Sequence, residues 1–389
     1  MDIKEIIRPE LEAMKSYTPI EPIEVLSQRA ELPLGRVIKL DGNENPYGCS
    51  PRVYRALANY SYYHIYPDPA QRRLKQALEE YTGLSQEHIV CGSGSDELID
   101  LILRIFLKPG DKTINCSPTF GMYPFSTEVC GGKVVDVPRA EDFTADIAGI
   151  KRTLSEKTKV VFVASPNNPT GNLITEQEIV ELVNTGKIVV VDEAYFEFGN
   201  MTMAGLVPAY PNLIVLRTFS KWAGLAGLRI GYGVFPIGIV DYLMKIKQPY
   251  NINVAAQVAI LASLADIDYL HGNVVKIVAE RERLFSKLKE LDWLKPYPSN
   301  GNFILCSLRC HSEPFAPRHS EGAKRPKNLA QGKLRKESPA KKIWLQLQEK
   351  GIFVRYFDSP RLKDCLRISA GKPEDTDALI EALKEVKYD

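Results

Sequence analysis

Short runs of consecutive apolar residues recur through the first two thirds of the chain, and patterns typical of helices separate them. Residues 160–163 and 188–191 are clear examples, because neither run alternates apolar and polar positions. Such runs predict strands that are buried on both faces. Strands that alternate with helices indicate βαβ units and a mostly parallel sheet covered by helices. The predicted strands span 89–91, 112–116, 133–137, 159–164, 187–192, 212–217 and 229–234.

After about residue 250 the pattern changes to long helices and a few isolated strands, which predicts a smaller α+β domain. The helices are predicted at 255–264, 268–291, 341–350 and from Pro373, and the strands at 303–306, 352–356 and 365–369. We therefore expect an α/β chain in three parts. The first part is an N-terminal arm over 1–35, which has a short helix near 3–15 and packs with the small domain. The second is a large domain over 36–255, built as a three-layer sandwich around the parallel sheet. The third is the small C-terminal domain over 256–389.

Charge changes this picture in one place only. The chain has 50 Lys and Arg against 48 Asp and Glu, so no global field favours a nucleic acid or a membrane surface. Residues 309–342, however, hold ten Lys or Arg against three Asp or Glu, and few large apolar side chains. Such a composition buries too little surface to offset chain entropy. We expect a solvated basic insertion without a catalytic role; a tail that binds nucleic acid or an acidic partner is the alternative.

The seven cysteines are scattered, odd in number and never arranged as Cys-x-x-Cys. Most lie in apolar, strand-like contexts, so we expect buried free thiols in a reducing compartment and no metal site. The first residues mix acidic and basic side chains without a continuous apolar stretch, so we expect no signal or transit peptide. No apolar stretch approaches the roughly 18 residues of a membrane span. The predicted location is the cytoplasm.

Four short polar segments begin at or just past predicted strand ends, at the edge of a parallel sheet where ligands bind. They are 165–171, 191–195, 218–221 and 227–229. Together they supply a lysine, an aspartate, an asparagine, a tyrosine, an arginine and several hydroxyls. This set matches the needs of pyridoxal 5'-phosphate (PLP), which carries an aldehyde, a pyridine nitrogen, a phenolate and a phosphate.

Lys221 is the candidate for the aldehyde, because a lysine must lose its proton before it attacks. Asp192 follows four apolar strand residues, and a buried carboxylate needs a cation, which a protonated pyridine nitrogen would provide. Asn168 and Tyr195 can donate to the phenolate oxygen. The candidates for the phosphate are Arg229, Ser220, Thr218 and the backbone N–H groups of 92–97, where a strand leads into a helix N-terminus.

Each of these segments alone has an ordinary alternative reading. Asp192 and Glu193 could be metal ligands or part of a solvated turn, and 165–171 could be a simple turn. A lone lysine after a serine is usually exposed. Residues 92–97 lack the third glycine of the dinucleotide-binding fingerprint. The order and the residue types of all the segments together predict the PLP site.

On these residues the chain resembles the fold-type I PLP-dependent aminotransferases of class I and II. The resemblance runs from about Tyr17 to the C-terminus, except for 309–342. Besides the four segments, it rests on residues 40–48, 66–67, 92–97, 118–123, 351–355 and 366–369. It implies the fold predicted above, transaminase chemistry and a homodimer.

The resemblance also implies roles for single residues. Lys221 would form the Schiff base and shuttle the proton, with Asp192 and Tyr195 as further catalytic residues. Phe120 would stack on the cofactor ring, although a core phenylalanine is the alternative. Tyr66 would reach the cofactor phosphate of the neighbouring subunit; in a monomer it would be only a turn aromatic. The implied cofactor-binding residues are Tyr66, Ser95, Asp96, Phe120, Asn168, Asp192, Tyr195, Thr218, Ser220, Lys221 and Arg229.

Arg355 and Arg367 match the substrate-binding arginines of the family, and Asn43 is a further candidate contact. The chain is most similar to members that transfer an amino group between L-histidinol phosphate and 2-oxoglutarate, where two guanidinium groups suit a phosphate dianion. The alternatives are an aromatic or broad-specificity aminotransferase, a lyase similar to threonine-phosphate decarboxylases, and a non-catalytic binding protein. Some members place a tyrosine from 19–24 on the substrate. Here Ile20 and Ile23 stand there, which leaves the contact of the arm open.

Overall fold

The computed structural model describes residues 1–12, 14–309 and 338–387. The predicted basic insertion over 309–342 lies outside the described residues except at its two ends, so it stays a prediction. In the described part of the chain the strands are β1 (Ile38–Leu40), β2 (Ile89–Gly92), β3 (Lys112–Asn115), β4 (Lys133–Asp136), β5 (Thr158–Ala164), β6 (Ile188–Asp192), β7 (Leu213–Thr218), β8 (Gly231–Val234), β9 (Leu294–Pro296), β10 (Phe303–Leu308), β11 (Ile352–Tyr356) and β12 (Cys365–Ser369).

The helices of the described residues cover both sheets. They are α1 (Pro9–Glu12), α2 (Ile23–Ala30), α3 (Pro51–Asn59), α4 (Arg72–Thr82), α5 (Gly94–Phe106), α6 (Met122–Val129), α7 (Ile147–Thr153), α8 (Glu176–Val183), α9 (Phe196–Gly199), α10 (Ile237–Ile246), α11 (Val254–Leu264), α12 (Ile267–Lys289), α13 (Pro339–Glu349) and α14 (Pro373–Glu385). Short 3-10 helices lie at Ile3–Glu5, Leu34–Arg36, Gln86–His88, Ala204–Ala209 and Ala226–Leu228.

The larger sheet confirms the predicted mostly parallel α/β architecture. Its strand order is β2-β8-β7-β6-β5-β3-β4, and only β8 pairs antiparallel to its neighbours. The central strands are rich in β-branched residues, which fit a pleated sheet that is buried on both faces. In β6, Val189 and Val191 pack into one core cluster, and Val190 packs into another on the opposite face. The carboxyl ends of β5, β6 and β7 therefore lie side by side.

The smaller sheet has the order β1-β11-β12-β10-β9. Most of its strands come from the C-terminal third, but β1 pairs with β11 in parallel, with Ile38 opposite Ile352. The segment just before the first candidate site residues is thus held by the smaller sheet. The proposed division at 1–35, 36–255 and 256–389 stays a prediction.

The N-terminal arm differs from the single helix predicted near 3–15. It contains the 3-10 turn Ile3–Glu5 and the short helix α1. Pro9 stands at the first position of α1, where its missing N–H is tolerated. A proline disfavours the helical conformation in the residue before it, so it separates the two pieces. Within the described residues no single helix is long and apolar enough to cross a membrane; α11 and α12 reach that length and composition only as a pair bent by 82°.

Candidate active site

The predicted polar segments meet at one edge of the larger sheet. Asp192 ends β6 and pairs in register with Ala164 at the end of β5. Thr218 ends β7 and lies opposite Gly231 of β8. Because β5, β6 and β7 run in parallel, the loops that follow them emerge at the same edge. The local sequence therefore places Asn168, Tyr195 and Lys221 on neighbouring loops.

Lys221 carries the amine at the centre of this edge. Its Nζ donates a hydrogen bond to the backbone oxygen of Gly42 at 2.9 Å. Burial, and next the charge of Arg367, lower the pKa of Lys221 to about 8. A larger fraction of this amine is therefore neutral near pH 7 than in an ordinary lysine, which suits attack on an aldehyde.

Asp192 is a buried carboxylate with donors but no cation. It is 4% exposed. It accepts hydrogen bonds from Tyr123 Oη at 2.6 Å and from the backbone N–H of Ala194 at 3.0 Å. Burial raises the pKa of Asp192 to about 6, although both hydrogen bonds act in the opposite direction. In the described part of the chain no Lys or Arg forms an ion pair with this carboxylate.

Tyr123 is a site residue for which the sequence argument gave no role. It lies on α6, is 1% exposed, and stacks on Phe162 at 4.8 Å between ring centroids. Its Oη therefore faces Asp192 from a rigid position. Tyr123 ends the 118–123 segment that marks the family resemblance, and this was the only signal that could have identified it.

The predicted phosphate-binding residues surround the N-terminus of α5. Arg229 Nη2 lies 3.0 Å from Asp96 Oδ2, and Arg229 Nη1 lies 3.5 Å from Ser220 Oγ. Thr218 Oγ1 donates to Ser220 Oγ at 2.9 Å. The free N–H groups of a helix start and a guanidinium together form a site for an anion.

Two glycines allow the predicted phosphate-binding groups to pack closely at this place. A Cβ on Gly231 would lie 2.8 Å from the backbone nitrogen of Ser95 and 2.7 Å from the backbone oxygen of Arg217. A Cβ on Gly94 would lie 2.6 Å from Arg229 Nη2, and the φ of Gly94 is +75°. A side chain at either position would push these groups apart.

These features fit PLP. The unpaired carboxylate of Asp192 suits a protonated pyridine nitrogen, since a buried charge needs a partner. The amine of Lys221 has the lowered pKa that bonding to an aldehyde needs, and the start of α5 suits a phosphate. The residue types and their surroundings are therefore those that the cofactor requires.

Asn168 and Tyr195 are held by residues from the smaller domain and the segment before it. Asn168 Oδ1 accepts a hydrogen bond from Arg367 Nη1 at 2.6 Å, which leaves the amide nitrogen for another acceptor. Tyr195 Oη accepts one from Asn43 Nδ2 at 3.0 Å. Tyr195 is 5% exposed, and burial raises the pKa of Tyr195. Both side chains are thus fixed before any ligand binds.

The two predicted substrate arginines lie directly opposite each other on β11 and β12. Arg355 and Arg367 form a register pair. Arg367 is 5% exposed, its pKa is lowered by burial, and its Nε has no hydrogen-bond partner among the described residues. Arg355 Nη2 donates to the backbone oxygen of Thr18 at 2.9 Å. Arg355 thereby ties the N-terminal segment to β11 of the smaller sheet beside the site.

Tyr17 of the arm also lies at the site, and the sequence argument missed it. Its Cε2 lies 3.3 Å from the position that a Cβ on Gly121 would take. It is close enough to interact electrostatically with both Tyr195 and Arg367. Some family members place a tyrosine from 19–24 on the substrate, but this chain has Ile20 and Ile23 in that segment. The structure instead brings Tyr17, 41% exposed, to the cleft.

Two further predicted cofactor-binding residues, Phe120 and Tyr66, pack against aromatic side chains. Phe120 is partly buried and packs edge-on against Tyr123, with ring centroids 5.6 Å apart. Tyr66 is 78% exposed and stacks on Tyr250 at 4.6 Å. No described contact joins Tyr66 to the residues around Lys221 of its own chain. The role of Tyr66 across a dimer stays a prediction.

Comparison with known proteins identifies the family of the chain. The family "Aminotransferase class I and II" matches residues 35–383. The chain is 47% identical over 385 residues to a histidinol-phosphate aminotransferase of Dehalococcoides mccartyi, with 99% of each chain covered. It is 46% identical over 381 residues to the chloroplastic histidinol-phosphate aminotransferase 1 of Arabidopsis thaliana, covering 97% of this chain and 85% of that one.

A solved structure extends the comparison to the fold. The histidinol-phosphate aminotransferase of Sinorhizobium meliloti, crystallised in complex with pyridoxal-5'-phosphate, superposes with a TM-score of 0.82 at 27% identity. The superposition covers 97% of this chain and 96% of that chain. The predicted family and fold class are confirmed. The chain belongs to the class I and II aminotransferases and, within them, is grouped with the histidinol-phosphate aminotransferases.

Proposed function

We propose that this chain is a PLP-dependent transaminase of histidine biosynthesis, which exchanges an amino group between glutamate and imidazole acetol phosphate to give 2-oxoglutarate and L-histidinol phosphate. One observation carries the proposal. A buried amine with a lowered pKa, Lys221, shares a cleft with the facing arginines Arg355 and Arg367. The first suits amino-group chemistry and the second suits a phosphate dianion. The 47% identity over 385 residues to a protein named histidinol-phosphate aminotransferase supports the same assignment.

When bound, PLP supplies an aldehyde that takes up the amino group and a ring that accepts electrons from the substrate carbon. Lys221 Nζ would take the proton from that carbon and return it, first as base and then as acid. Asp192 would keep the pyridine nitrogen protonated, and Tyr123 would hold the Asp192 carboxylate in place. Asn168 and Tyr195 would donate to the phenolate oxygen.

The phosphate of PLP would lie at the start of α5. Arg229, Ser220 and Thr218 would bind it together with the N–H groups of Ser95 and Asp96. Anchoring by these charge-assisted hydrogen bonds would hold the cofactor within reach of both Asp192 and Lys221.

The substrate phosphate would meet Arg355 and Arg367, with Tyr17 closing the cleft from the arm. The two guanidinium groups provide several planar N–H donors, a geometry that suits phosphate oxygens. The unpartnered Nε of Arg367 is one such donor. A substrate without an anion would leave the buried guanidinium of Arg367 without a negative partner, which would favour the phosphorylated substrate.

A product assay tests the reaction. The purified, PLP-loaded protein is incubated with L-histidinol phosphate and 2-oxoglutarate, and glutamate formation is measured. Aromatic amino acids and phosphorylated threonine serve as parallel substrates. Glutamate formed fastest from histidinol phosphate supports the proposal. Faster exchange with aromatic amino acids, or release of CO2 from the threonine phosphate, would replace it by one of the alternatives.

Arginine variants test the substrate site. We expect Arg367→Ala and Arg355→Ala each to raise KM for histidinol phosphate about 10- to 100-fold, the equivalent of one charge-assisted hydrogen bond of about 1.5–3 kcal/mol. Arg152→Ala is the control, because Arg152 pairs with Asp146 at an exposed surface. An unchanged KM in either variant would remove that arginine from the substrate site.

We propose further that the active form is a homodimer in which Tyr66 reaches the partner's site. Tyr62, Tyr63 and Tyr66 are all at least half exposed, and such aromatic patches typically mark interfaces. A hybrid dimer tests this assembly. Subunits with Lys221→Ala and subunits with Tyr66→Ala are mixed, and activity is measured at limiting PLP. Recovery of activity supports a shared site, and a monomer by sedimentation would exclude it. The cytoplasmic location stays a prediction.

A further inference from the structure

Asn43 is a predicted substrate contact, and both polar atoms of its side chain have partners within the protein. Asn43 is 1% exposed. Its Nδ2 donates to Tyr195 Oη at 3.0 Å, and its Oδ1 accepts from Ser369 Oγ at 2.8 Å. The described contacts therefore connect Asn43 with Tyr195 rather than with the open cleft.

Ser369 determines which way the Asn43 amide points. The backbone N–H of Asn43 donates to Ser369 Oγ at 2.9 Å, so this hydroxyl already accepts one hydrogen bond. Its own proton then goes to Asn43 Oδ1. With the amide oxygen turned to Ser369, the amide nitrogen must face Tyr195.

The backbone of Asn43 is fixed as well. Its φ is +53°, in the left-handed region that asparagine tolerates better than most residues. Asn302 Nδ2 donates to the backbone oxygen of Asn43 at 2.9 Å, and Asn302 is fully buried. Position 43 thus needs both a left-handed backbone and an amide donor, which few residue types combine.

The consequence lies at the phenol of Tyr195. A phenol oxygen has only one proton to donate. Since the Tyr195 oxygen accepts from Asn43, that proton is directed to a different acceptor. The Tyr195 ring cannot easily rotate away, because it packs edge-on against Phe303 with centroids 5.1 Å apart.

We propose that Asn43, held by Ser369 and Asn302, is a positioning residue that directs the Tyr195 hydroxyl proton to the phenolate oxygen of bound PLP. The inference rests on the proposed function. It also links the substrate strand to the cofactor, because Ser369 lies two residues from Arg367 on the same face of β12. Arg367 Nη2 in turn donates to the backbone oxygen of Asp41, two residues before Asn43.

The test uses the visible absorbance of the PLP-loaded enzyme as a function of pH, which reports protonation of the nitrogen contributed by Lys221. Donation to the phenolate stabilises negative charge and so favours the deprotonated nitrogen. We expect Asn43→Asp and Asn43→Gly to move the midpoint upward by about one pH unit. Gly keeps the left-handed backbone, and Asp replaces the donor by an acceptor of the same shape.

Kinetics and a double variant separate positioning from substrate contact. We expect kcat to fall while KM for histidinol phosphate changes less than about twofold. In a Tyr195→Phe background, Asn43→Gly should add no further shift, because both changes remove the same hydrogen bond to the phenolate. Ser369→Ala, which frees the amide to rotate, should shift the midpoint in the same direction by a smaller amount.

Asn200→Asp is the matched control, since Asn200 also has a left-handed backbone, with φ +51°, but is exposed. A KM raised tenfold or more with an unchanged midpoint would make Asn43 a substrate contact and overturn the proposal. Lower thermal stability of the apoprotein without a midpoint shift would reduce Asn43 and Ser369 to structural residues. A wild-type protein without any pH-dependent PLP absorbance would contradict the proposed function itself.

Discussion

Asp192 and Glu193 are adjacent in the chain, yet they lie in opposite electrostatic situations. Successive side chains of an extended segment point to opposite faces of the sheet. Glu193 is 1% exposed and accepts hydrogen bonds from Arg217 Nε at 3.0 Å and from Thr202 Oγ1 at 2.7 Å. Asp192 is equally buried, but it accepts only from Tyr123 and one backbone N–H.

The Glu193 carboxylate is paired with the buried guanidinium of Arg217. The Arg217 guanidinium lies 3.6 Å above the centre of the Phe196 ring and donates to Tyr232 Oη at 3.1 Å. Burial acts to lower the pKa of Arg217, but Tyr232 and Glu193 together raise it above its ordinary value. Glu193 and Arg217 thus compensate each other's charge in a buried place, which is typical of a structural ion pair.

Asp192, by contrast, forms no ion pair with a Lys or Arg of the described residues. The pKa of Asp192 is raised and that of Lys221 is lowered, so both groups are shifted toward their neutral forms. Buried groups with displaced pKa values in a cleft are typical of functional sites. The comparison teaches that burial alone does not distinguish the two adjacent carboxylates. Among the described residues, Glu193 has an arginine partner and Asp192 has no Lys or Arg partner.

The largest expected effect is the loss of transamination when Lys221, which lies on the same side as Asp192, is replaced. Lys221→Ala should lower transamination at least about 10⁴-fold, the upper range for general acid–base catalysis. The melting temperature of the apoprotein should stay the same or rise, because a buried amine is removed. Steady-state assay and thermal unfolding check the two outcomes. Lys187→Ala is the control, since Lys187 also donates to a backbone oxygen, that of Ser155, but precedes the opposite end of β6. An active Lys221→Ala enzyme would contradict the mechanism.

On the other face, Glu193→Gln should act on stability. Removing one partner of a buried ion pair leaves Arg217 uncompensated and costs about 3–5 kcal/mol. Urea unfolding of the apoprotein measures this loss, and activity per folded site should stay within a few-fold. Glu181→Gln is the control, because its pair with Lys151 is exposed and should contribute less than about 1 kcal/mol. Equal losses in the two variants would show that the Glu193 pair is not structural.

Asp192→Asn should lower activity and spare stability at pH 7, whereas Glu193→Gln should do the opposite. We expect activity to fall about 100-fold, as when one preorganised electrostatic group is lost. The raised pKa of Asp192 means that wild-type apoprotein loses stability as pH rises from about 4 to 6, where the folded state releases its proton later than the unfolded state. The asparagine variant should lack this dependence. Unfolding of both apoproteins across this range is the measurement, and a destabilised variant at pH 7 would break the comparison.

The smallest effect concerns the pH dependence of PLP uptake. The neutral fraction of Lys221 should rise about tenfold per pH unit below a midpoint near 8 and then level off. Borohydride trapping of the apoprotein with PLP at each pH measures this profile. Since the charge of Arg367 lowers the pKa of Lys221, Arg367→Met should move the midpoint upward. A midpoint near the ordinary value of 10.5 in the wild type would show that the amine is not perturbed.

The predicted site residues differ in how far the sequence could place them. Asp192, Thr218 and Lys221 follow apolar runs, and the ends of parallel strands meet at one edge, so their proximity follows from the pattern. The capping box between Thr175 and Glu178 at the start of α8 likewise involves only four consecutive positions. These features depend on short stretches of chain and on one rule of sheet topology.

The residues that sequence reasoning missed depend on long-range contacts. Tyr17 reaches the cleft because the neighbouring Thr18 is held by Arg355 of β11, 337 positions away. Asn43, predicted as a substrate contact, has its amide oriented by Ser369, 326 positions away. No local pattern encodes such pairs.

By itself the sequence determined the alternating strands and helices, the buried runs and the set of chemical groups for PLP, because periodicity and residue type act locally. Only the tertiary structure decided which buried carboxylate is neutralised and which is left without a cation. Asp192 and Glu193 look alike in the sequence, and their difference arises from which face of β6 meets Arg217. A charge is compensated by its neighbours in space, and those neighbours are set by packing rather than by position in the chain.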